Sequence, residues 1–246
     1  MKIIQITDTH LFADDESEIF GVKSNFKFRE VINKIIDEEH HDANMIFLTG
    51  DISQDETIKS YQIAVAHLSK LNLPVYWIPG NHDNIKKAEE IFQNANNFNR
   101  KINLSLPNWH FIFLNTKIDG SEAGYLSDPE LTLLSNELAA SPADKKIAIV
   151  MHHHPAPVGT PLVDHYILMN ADEFWSVVSG KKVELIICGH VHGDYRFIHN
   201  DVVIESAPAT CLQWEKGTKK LTADKKIGYK IYHFDNDGYR SSVKMW

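Results

Sequence analysis

CGHVH, residues 188–192, closes the apolar run VELIIC (183–188) and sets His190 and His192 two positions apart behind Gly189. The run reads as a β-strand, where alternate side chains share a face, so both imidazoles can meet one cluster while Val191 packs away from it. Four other apolar runs end in the same way. IIQIT (3–7) leads into Asp8-Thr9-His10, NMIFLT (44–49) into Gly50-Asp51, VYWIP (75–79) into Gly80-Asn81-His82-Asp83, and KIAIVM (146–151) into His152-His153-His154. Parallel strands deliver their C-terminal ends to one edge of a sheet, and ligands bind in the crevice beyond those ends. Five strand ends bearing Asp, Asn and His therefore predict one composite site. The donors outnumber the needs of a single ion, so a pair of metal ions is the expected occupant, and hydrolysis of a phosphate ester the expected chemistry.

Each segment alone has a plainer reading. Asp8 can cap the following loop, Gly50-Asp51 can start a turn, and Pro79-Gly80-Asn81 is turn-forming. A run of three histidines is commonly a polar loop. The functional readings are more specific. An Asp51 carboxylate can bridge two metals, with Gly50 letting the backbone come close. Asn81 can offer its amide oxygen as a neutral ligand, leaving His82 free for proton transfer. Among His152, His153 and His154 only one or two can reach a common site, since neighbours on a strand face opposite ways. The case rests on all five segments recurring behind strands.

Composition narrows the partners. The 246 residues, 43% hydrophobic and 24% charged, suit one large domain, expected to span 1–246. A formal net charge of -8 argues against a protein that lives on duplex DNA, and no nucleic-acid partner is expected. Cys188 and Cys211 form no CxxC pair, so Cys188 reads as a small buried thiol and no disulfide framework is expected. The sequence opens directly into KIIQIT without a leader pattern and has no apolar stretch of spanning length, so the cytoplasm is the expected compartment, without a membrane partner.

Amphipathic stretches alternate with the strands. Helices are expected over 26–39, 56–71 (starting from Glu56), 85–95, 128–140 and 171–179, the fourth capped by Asp128 with Pro129 in its first turn. After Gly189 the segments YRFIH, DVVIESA, GYKIYHF and YRSSVKM read as short strands, and WHFIFLNT (109–116) is like them. A βαβ half followed by a strand-rich half suggests two sheets packed face to face with helices outside.

Taken in order, D-x-H, G-D, G-N-H-D, H and G-H-x-H resemble the signature of the calcineurin-like metallophosphoesterases across residues 8 to 192. QITDTHLFA (5–13), FGV (20–22), HHHPAPVG (152–159), DHYILMN (164–170) and SAPATCLQW (206–214) extend the resemblance to the class III 3′,5′-cyclic-nucleotide phosphodiesterase branch. The resemblance implies an α/β fold, a four-layer α/β/β/α sandwich of two mixed sheets, with a dinuclear centre. It places Asp8, His10 and His192 on one metal, Asn81, His152 and His190 on the other, and Asp51 between them. His82 matches the unligated catalytic histidine. Iron or manganese is the expected pair, with zinc, cobalt or magnesium as other divalent choices.

The expected reaction is hydrolysis of 3′,5′-cyclic AMP to 5′-AMP by a hydroxide held between the metals, with His82 either stabilising the charge on the phosphoryl oxygen or protonating the leaving ribose 3′-oxygen. Asn81, His82, His154 and His165 are the expected substrate contacts, and Phe12 and Trp214 are candidates to stack a base. The tail KGTKKLTADKKIGYKIYHF (216–234) either shapes the substrate rim or makes a homodimer contact. Three rivals stand beside this reading: hydrolysis of glycerophosphodiesters or other small diesters, an exonuclease, and a non-catalytic scaffold of the same fold.

Overall fold

The computed structural model describes residues 1–246. The chain runs β1 (Lys2–Ile6), α1 (Ser24–Glu38), β2 (Met45–Thr49), α2 (Ile58–Leu68), β3 (Val75–Ile78), α3 (Ile85–Phe92) and β4 (Phe98–Asn99). Then follow β5 (Asn103–Ser105), β6 (Trp109–Phe113), α4 (Asp128–Ala140), β7 (Lys146–Val150), α5 (Pro161–Asp164), α6 (Ala171–Val178) and β8 (Val183–Cys188). It ends with β9 (Arg196–His199), β10 (Val202–Ser206), β11 (Gln213–Trp214), β12 (Ala223–Asp224), β13 (Gly228–Phe234) and β14 (Tyr239–Met245).

Two six-stranded mixed sheets form, in the orders β14-β13-β1-β2-β3-β4 and β5-β6-β7-β8-β10-β9. Alternation along the strands assigns the faces. Ile4 and Ile6 of β1 pack under Phe28, Val31, Ile32 and Ile35 of α1, whereas Ile3 turns inward. The inward set, Ile3, Phe47 and Tyr232 from one sheet and Trp109, Phe111 and Ile187 from the other, fills the space between the sheets. Leu134 and Leu138 of α4 and Phe174 of α6 cover the outer face of the second sheet. The layers are thus α/β/β/α, as the resemblance implies. β1, β2 and β3 are mutually parallel, as are β6, β7 and β8. Their C-terminal ends place every motif segment at one end of the sandwich.

The two facing sheets with helices outside match the arrangement read from the sequence, and each sheet draws strands from both sides of Gly189. β10 joins the second sheet parallel to β8, while β13 and β14 cross back to the first and pair antiparallel through β1. Tyr229 and Ile231 of β13 join the outer core while Tyr232 joins the inner one, so the strand needs cover on both faces. Local ends differ. Ser127, not Asp128, caps α4 by accepting from the Glu130 amide, which leaves Asp128 inside the first turn. Thr57, not Glu56, caps α2 by accepting from the Ser60 amide, and Glu56 sits before it at φ 53°. The short elements β4, β5, α5, β11 and β12 are not legible as periodic segments.

Candidate metal centre

Glycines let the strand ends crowd together. A Cβ at Gly80 would run into the Asp51 side chain, and one at Gly189 would run into Thr7 Oγ1 and stand 2.7 Å from the Thr49 carbonyl oxygen. The loops are then laced by backbone bonds, with the amides of Asp8 and His10 donating to the carbonyls of Gly50 and Asp51. Asp83 buckles a further pair. It accepts from the amides of Ile52, Ser53 and Gly80 and from the Tyr61 hydroxyl, and burial pushes its carboxyl up to about 6. Among the ten non-glycine residues at positive φ, five are Asp8, Asp51, His10, His190 and His192. Left-handed backbone costs such residues roughly 1–3 kcal/mol each. Its concentration here means that side-chain direction at this site outweighs local conformational preference.

The donor atoms converge, and their other bonds decide which atoms are free. His10 Nδ1 donates to Gln54 Oε1 at 2.7 Å and His192 Nδ1 to the Leu212 carbonyl at 3.0 Å. Both Nε2 atoms therefore present lone pairs, and they face each other across 3.1 Å. Asp8 Oδ1 lies 3.5 Å from His192 Nε2, and Asp51 Oδ2 lies 3.6 Å from His10 Nε2. On the other side, His152 Nδ1 donates to the Thr49 carbonyl at 2.7 Å, which leaves its Nε2 3.2 Å from Asn81 Oδ1 and 3.3 Å from Asp51 Oδ2. His190 Nδ1 is 3.1 Å from the same Asn81 oxygen, and its Nε2 is buried without a partner. On the His10 and His192 side two buried acceptors face each other, which is at odds unless a cation lies between them. Imidazole, carboxylate and amide oxygen form a donor set suited to divalent transition metals, and backbone carbonyls on the far ring nitrogens are the usual device that fixes such histidines. The residues fit a dinuclear centre.

Charge states agree. Burial lowers His10 to about 4 and holds His190 and His192 well below the ordinary histidine value, so each presents a neutral ring. Burial raises Asp8 to about 7. For Asp51 burial works in the same sense, but the charge of His152 and its hydrogen bond prevail and hold the carboxyl well below its usual range. His152 is driven down by burial and more strongly up by Asp51, to about 9, so it carries a proton that a cation displaces on binding.

The triple histidine resolves into three different environments. His153 spends both nitrogens, accepting from Thr116 Oγ1 at 2.7 Å and donating to the Glu122 carbonyl at 3.1 Å, so His152 is the one aimed at the cluster. His154 is 1% exposed and its Nε2 meets Asp164 Oδ1 at 3.2 Å. Cys211 lies behind His192, 3.8 Å from the Nδ1 that is already committed to Leu212, and burial raises its thiol well above the usual value. It offers no thiolate.

Above the cluster opens a cavity of about 350 Å³. His10, Asp51, Asn81, His82, His190 and His192 form its polar side, and Phe20, Leu162, Tyr166, Trp214 and Leu221 its apolar side. Leu221 and Trp214 show that the later part of the chain contributes to the rim. Neither His154 nor His165 is among its lining residues. His154 is buried against His190, and His165 is exposed against Tyr166. Phe12 does not line it either. Trp214 does, but one ring face covers His192 at 5.4 Å and Phe20 meets it edge-on at 5.1 Å, so it acts first as packing. Sequence reasoning missed Gln54, Glu122 and Phe20. All three sit in loops, and only the composite site reveals them.

Chelation gives a direct check on this assembly. At a free metal concentration about 100 times Kd, one bound cation alone adds about 2.7 kcal/mol to stability. For a chain of this size that corresponds to roughly 5–10 °C in melting temperature. Readdition of manganese to chelator-treated protein is expected to raise the melting temperature by that much, and an unmoved transition would count against the cluster as a cation site.

Three comparisons bear on kinship. The family model for calcineurin-like phosphoesterases matches residues 1–194. A Vibrio vulnificus protein named 3′,5′-cyclic adenosine monophosphate phosphodiesterase CpdA is 34% identical over 226 residues, covering 91% of this chain and 81% of that one. A Coxiella burnetii protein named a probable cyclic nucleotide phosphodiesterase is 37% identical over 233 residues, covering 94% and 92%. The fold superposes on a dimetal phosphatase from Danio rerio with a TM-score of 0.69 at 13% identity, over 99% and 98% of the two chains. By family model and relatives alike, this chain is a member of the calcineurin-like phosphoesterase family.

Proposed function

We propose that this protein is a metal-dependent phosphodiesterase that hydrolyses 3′,5′-cyclic AMP to 5′-AMP. The observation that carries the reading is the two-sided cavity, a cation-binding floor beside an apolar and aromatic wall, sized for a small nucleotide. The names borne by relatives at 34% and 37% identity support the cyclic nucleotide. Calcineurin-like phosphoesterases use a dinuclear divalent metal centre. In our assignment Asp8, His10 and His192 would hold one ion, Asn81, His152 and His190 the other, and Asp51 both. Bound there, the ions supply Lewis acidity toward the phosphoryl oxygens and a nucleophile at neutral pH. Iron or manganese is the pair we assign. We treat residues 1–246 as one functional domain, because Trp214 and Leu221 line the same cavity as His10. No helix of the structure is long and apolar enough to cross a membrane.

His82 carries the proton chemistry. Gln54 Nε2 donates to its Nδ1 at 3.4 Å, so Nε2 bears the hydrogen and faces the cavity. As the bond from phosphorus to the ribose 3′-oxygen breaks and the water oxygen bonds to phosphorus, His82 Nε2 passes its hydrogen to the leaving oxygen and the proton shed by the water restores the neutral ring. Ile19, Phe20, Leu162, Tyr166 and Leu221 exclude water beside the phosphate and accept the base by apolar contact.

A second reading has its own observation. A polar groove of about 850 Å³ opens on the far side of His82 and shares Asn81, His82 and Glu122 with the cavity. Lys86, Lys117 and Asp119 line it, which suits the polar alcohol of a glycerophosphodiester. Turnover of cyclic AMP, glycerophosphocholine and an aryl phosphodiester by manganese-loaded protein separates the two. Cyclic AMP is expected to be the best substrate by kcat/KM. A protein that leaves it intact while cleaving another diester would overturn the primary reading.

A further inference from the structure

Glu122 lies in the loop between β6 and α4, outside the proposed metal set but against the His82 nitrogen that carries the proton. Its Oε2 accepts from Asn81 Nδ2 at 2.7 Å and stands 3.3 Å from His82 Nε2. One carboxylate oxygen therefore touches both residues that flank the reacting phosphate. The loop beneath it is held firmly, although the side chain itself is 57% exposed. The Glu122 carbonyl accepts from His153 Nε2, His153 Nδ1 accepts from Thr116, and Gly124 is packed so close to the His153 ring that a Cβ would overlap it. Ser121 Oγ closes the turn by accepting from the Ala123 amide. The buried His153, which serves no metal, thus finds its use as the post that fixes this loop.

A carboxylate beside an anion-binding site is costly unless it serves selection. Glu122 sets a negative charge against Asn81 and His82, beside the place of the phosphate. Its repulsion scales with the charge of the ligand. A phosphomonoester, doubly charged near neutral pH, therefore meets about twice the repulsion that a singly charged phosphodiester meets. The cation nearest to relieving it, Lys117, is engaged with the Asn81 carbonyl at 2.8 Å and with Asp119 at 3.9 Å. We propose that Glu122 is a specificity-determining residue that makes this site favour singly charged phosphodiesters over doubly charged phosphomonoesters, its own product included. The inference rests on the phosphodiesterase reading of the cavity. Its consequence is that the charge repels the product more than the substrate.

Charge and support can be separated experimentally. Glu122→Gln keeps an oxygen acceptor for the Asn81 amide and removes the charge, while Glu122→Asp keeps the charge. The measurements are the Kd of 5′-AMP by calorimetry on the manganese-loaded full chain, kcat/KM for cyclic AMP and for p-nitrophenyl phosphate, and metal per chain. In Glu122→Gln, 5′-AMP is expected to bind about tenfold tighter, a change of about 1.4 kcal/mol. The monoester-to-diester ratio is expected to rise by a similar factor, and Glu122→Asp to stay near the unsubstituted protein. Unchanged 5′-AMP affinity in Glu122→Gln overturns the inference. So does equal tightening in Glu122→Asp, or weaker binding accompanied by metal loss, which would leave Glu122 as a support for Asn81 alone. If the unsubstituted protein fails to cleave cyclic AMP while Glu122→Gln still tightens 5′-AMP, the substrate reading falls and the charge selection stands.

Discussion

Asp51→Ala is expected to remove bound metal and turnover together, by a larger factor than any other single change at the site. Asp51 is a carboxylate that faces both halves. Its Oδ2 is 3.6 Å from His10 Nε2 and 3.3 Å from His152 Nε2, while its Oδ1 accepts from the His82 amide at 2.9 Å. The residue is 2% exposed, so no water replaces the carboxylate without rearrangement. Truncation would take a proposed ligand from both positions, free the His82 main chain, and leave His152 and its neighbours as buried polar groups facing one another. Metal catalysis of this kind is worth several kcal/mol of transition-state stabilisation. At about 1.4 kcal/mol per factor of ten, turnover should fall by on the order of 10³-fold or more. Elemental analysis of the purified variant is expected to find less than one metal per chain. A variant that keeps two metals and loses only rate would remove Asp51 from its bridging place.

The strand ends were legible in the sequence because each combines two independent signals. A run such as NMIFLT is too apolar and β-branched for a surface segment, and the residues just beyond it are too polar for a core. β8 and α4 occupy 183–188 and 128–140, the bounds read from their patterns. What the pattern did not hold is the partner of each strand. GYKIYHF reads as a strand, yet nothing within it says that Ile231 pairs with Ile4 at the other end of the chain. The same limit applies within the site. Gln54 sits in SQDE and Glu122 in GSEAG, both ordinary polar loop sequence. Their importance depends on what lies across from them in space, His10 and His82 for one, Asn81 and His82 for the other. His154 shows the same limit, since adjacent residues of HHHP turn to separate surroundings and this one pairs with Asp164.

His82→Ala is the complementary case, with loss of turnover and retention of metal. His82 lies close enough to His10 and Asp51 to count as a third ligand by distance, since its ring meets that of His10 edge-on at 4.9 Å. Its hydrogen bonds argue otherwise. Nδ1 accepts from the Gln54 amide and the Nε2 hydrogen faces Glu122, so neither nitrogen presents a lone pair to the cluster. The ring is also partly open to solvent, at 28% exposure, unlike the buried histidines around it. Truncation therefore removes an acid and leaves the seven proposed ligands in place. The general-acid step is worth about 10²- to 10⁴-fold, and cyclic AMP turnover should fall within that range. The loss should depend on the leaving group. An alkoxide such as the ribose 3′-oxygen needs the proton, whereas p-nitrophenolate leaves without one, so an aryl phosphodiester should be cleaved with a much smaller penalty. Metal content near that of the unsubstituted protein, with an unequal loss on the two substrates, is the expected pair of results. Metal loss equal to that of Asp51→Ala would make His82 a ligand, and equal rate losses on both substrates would take the proton transfer away from it.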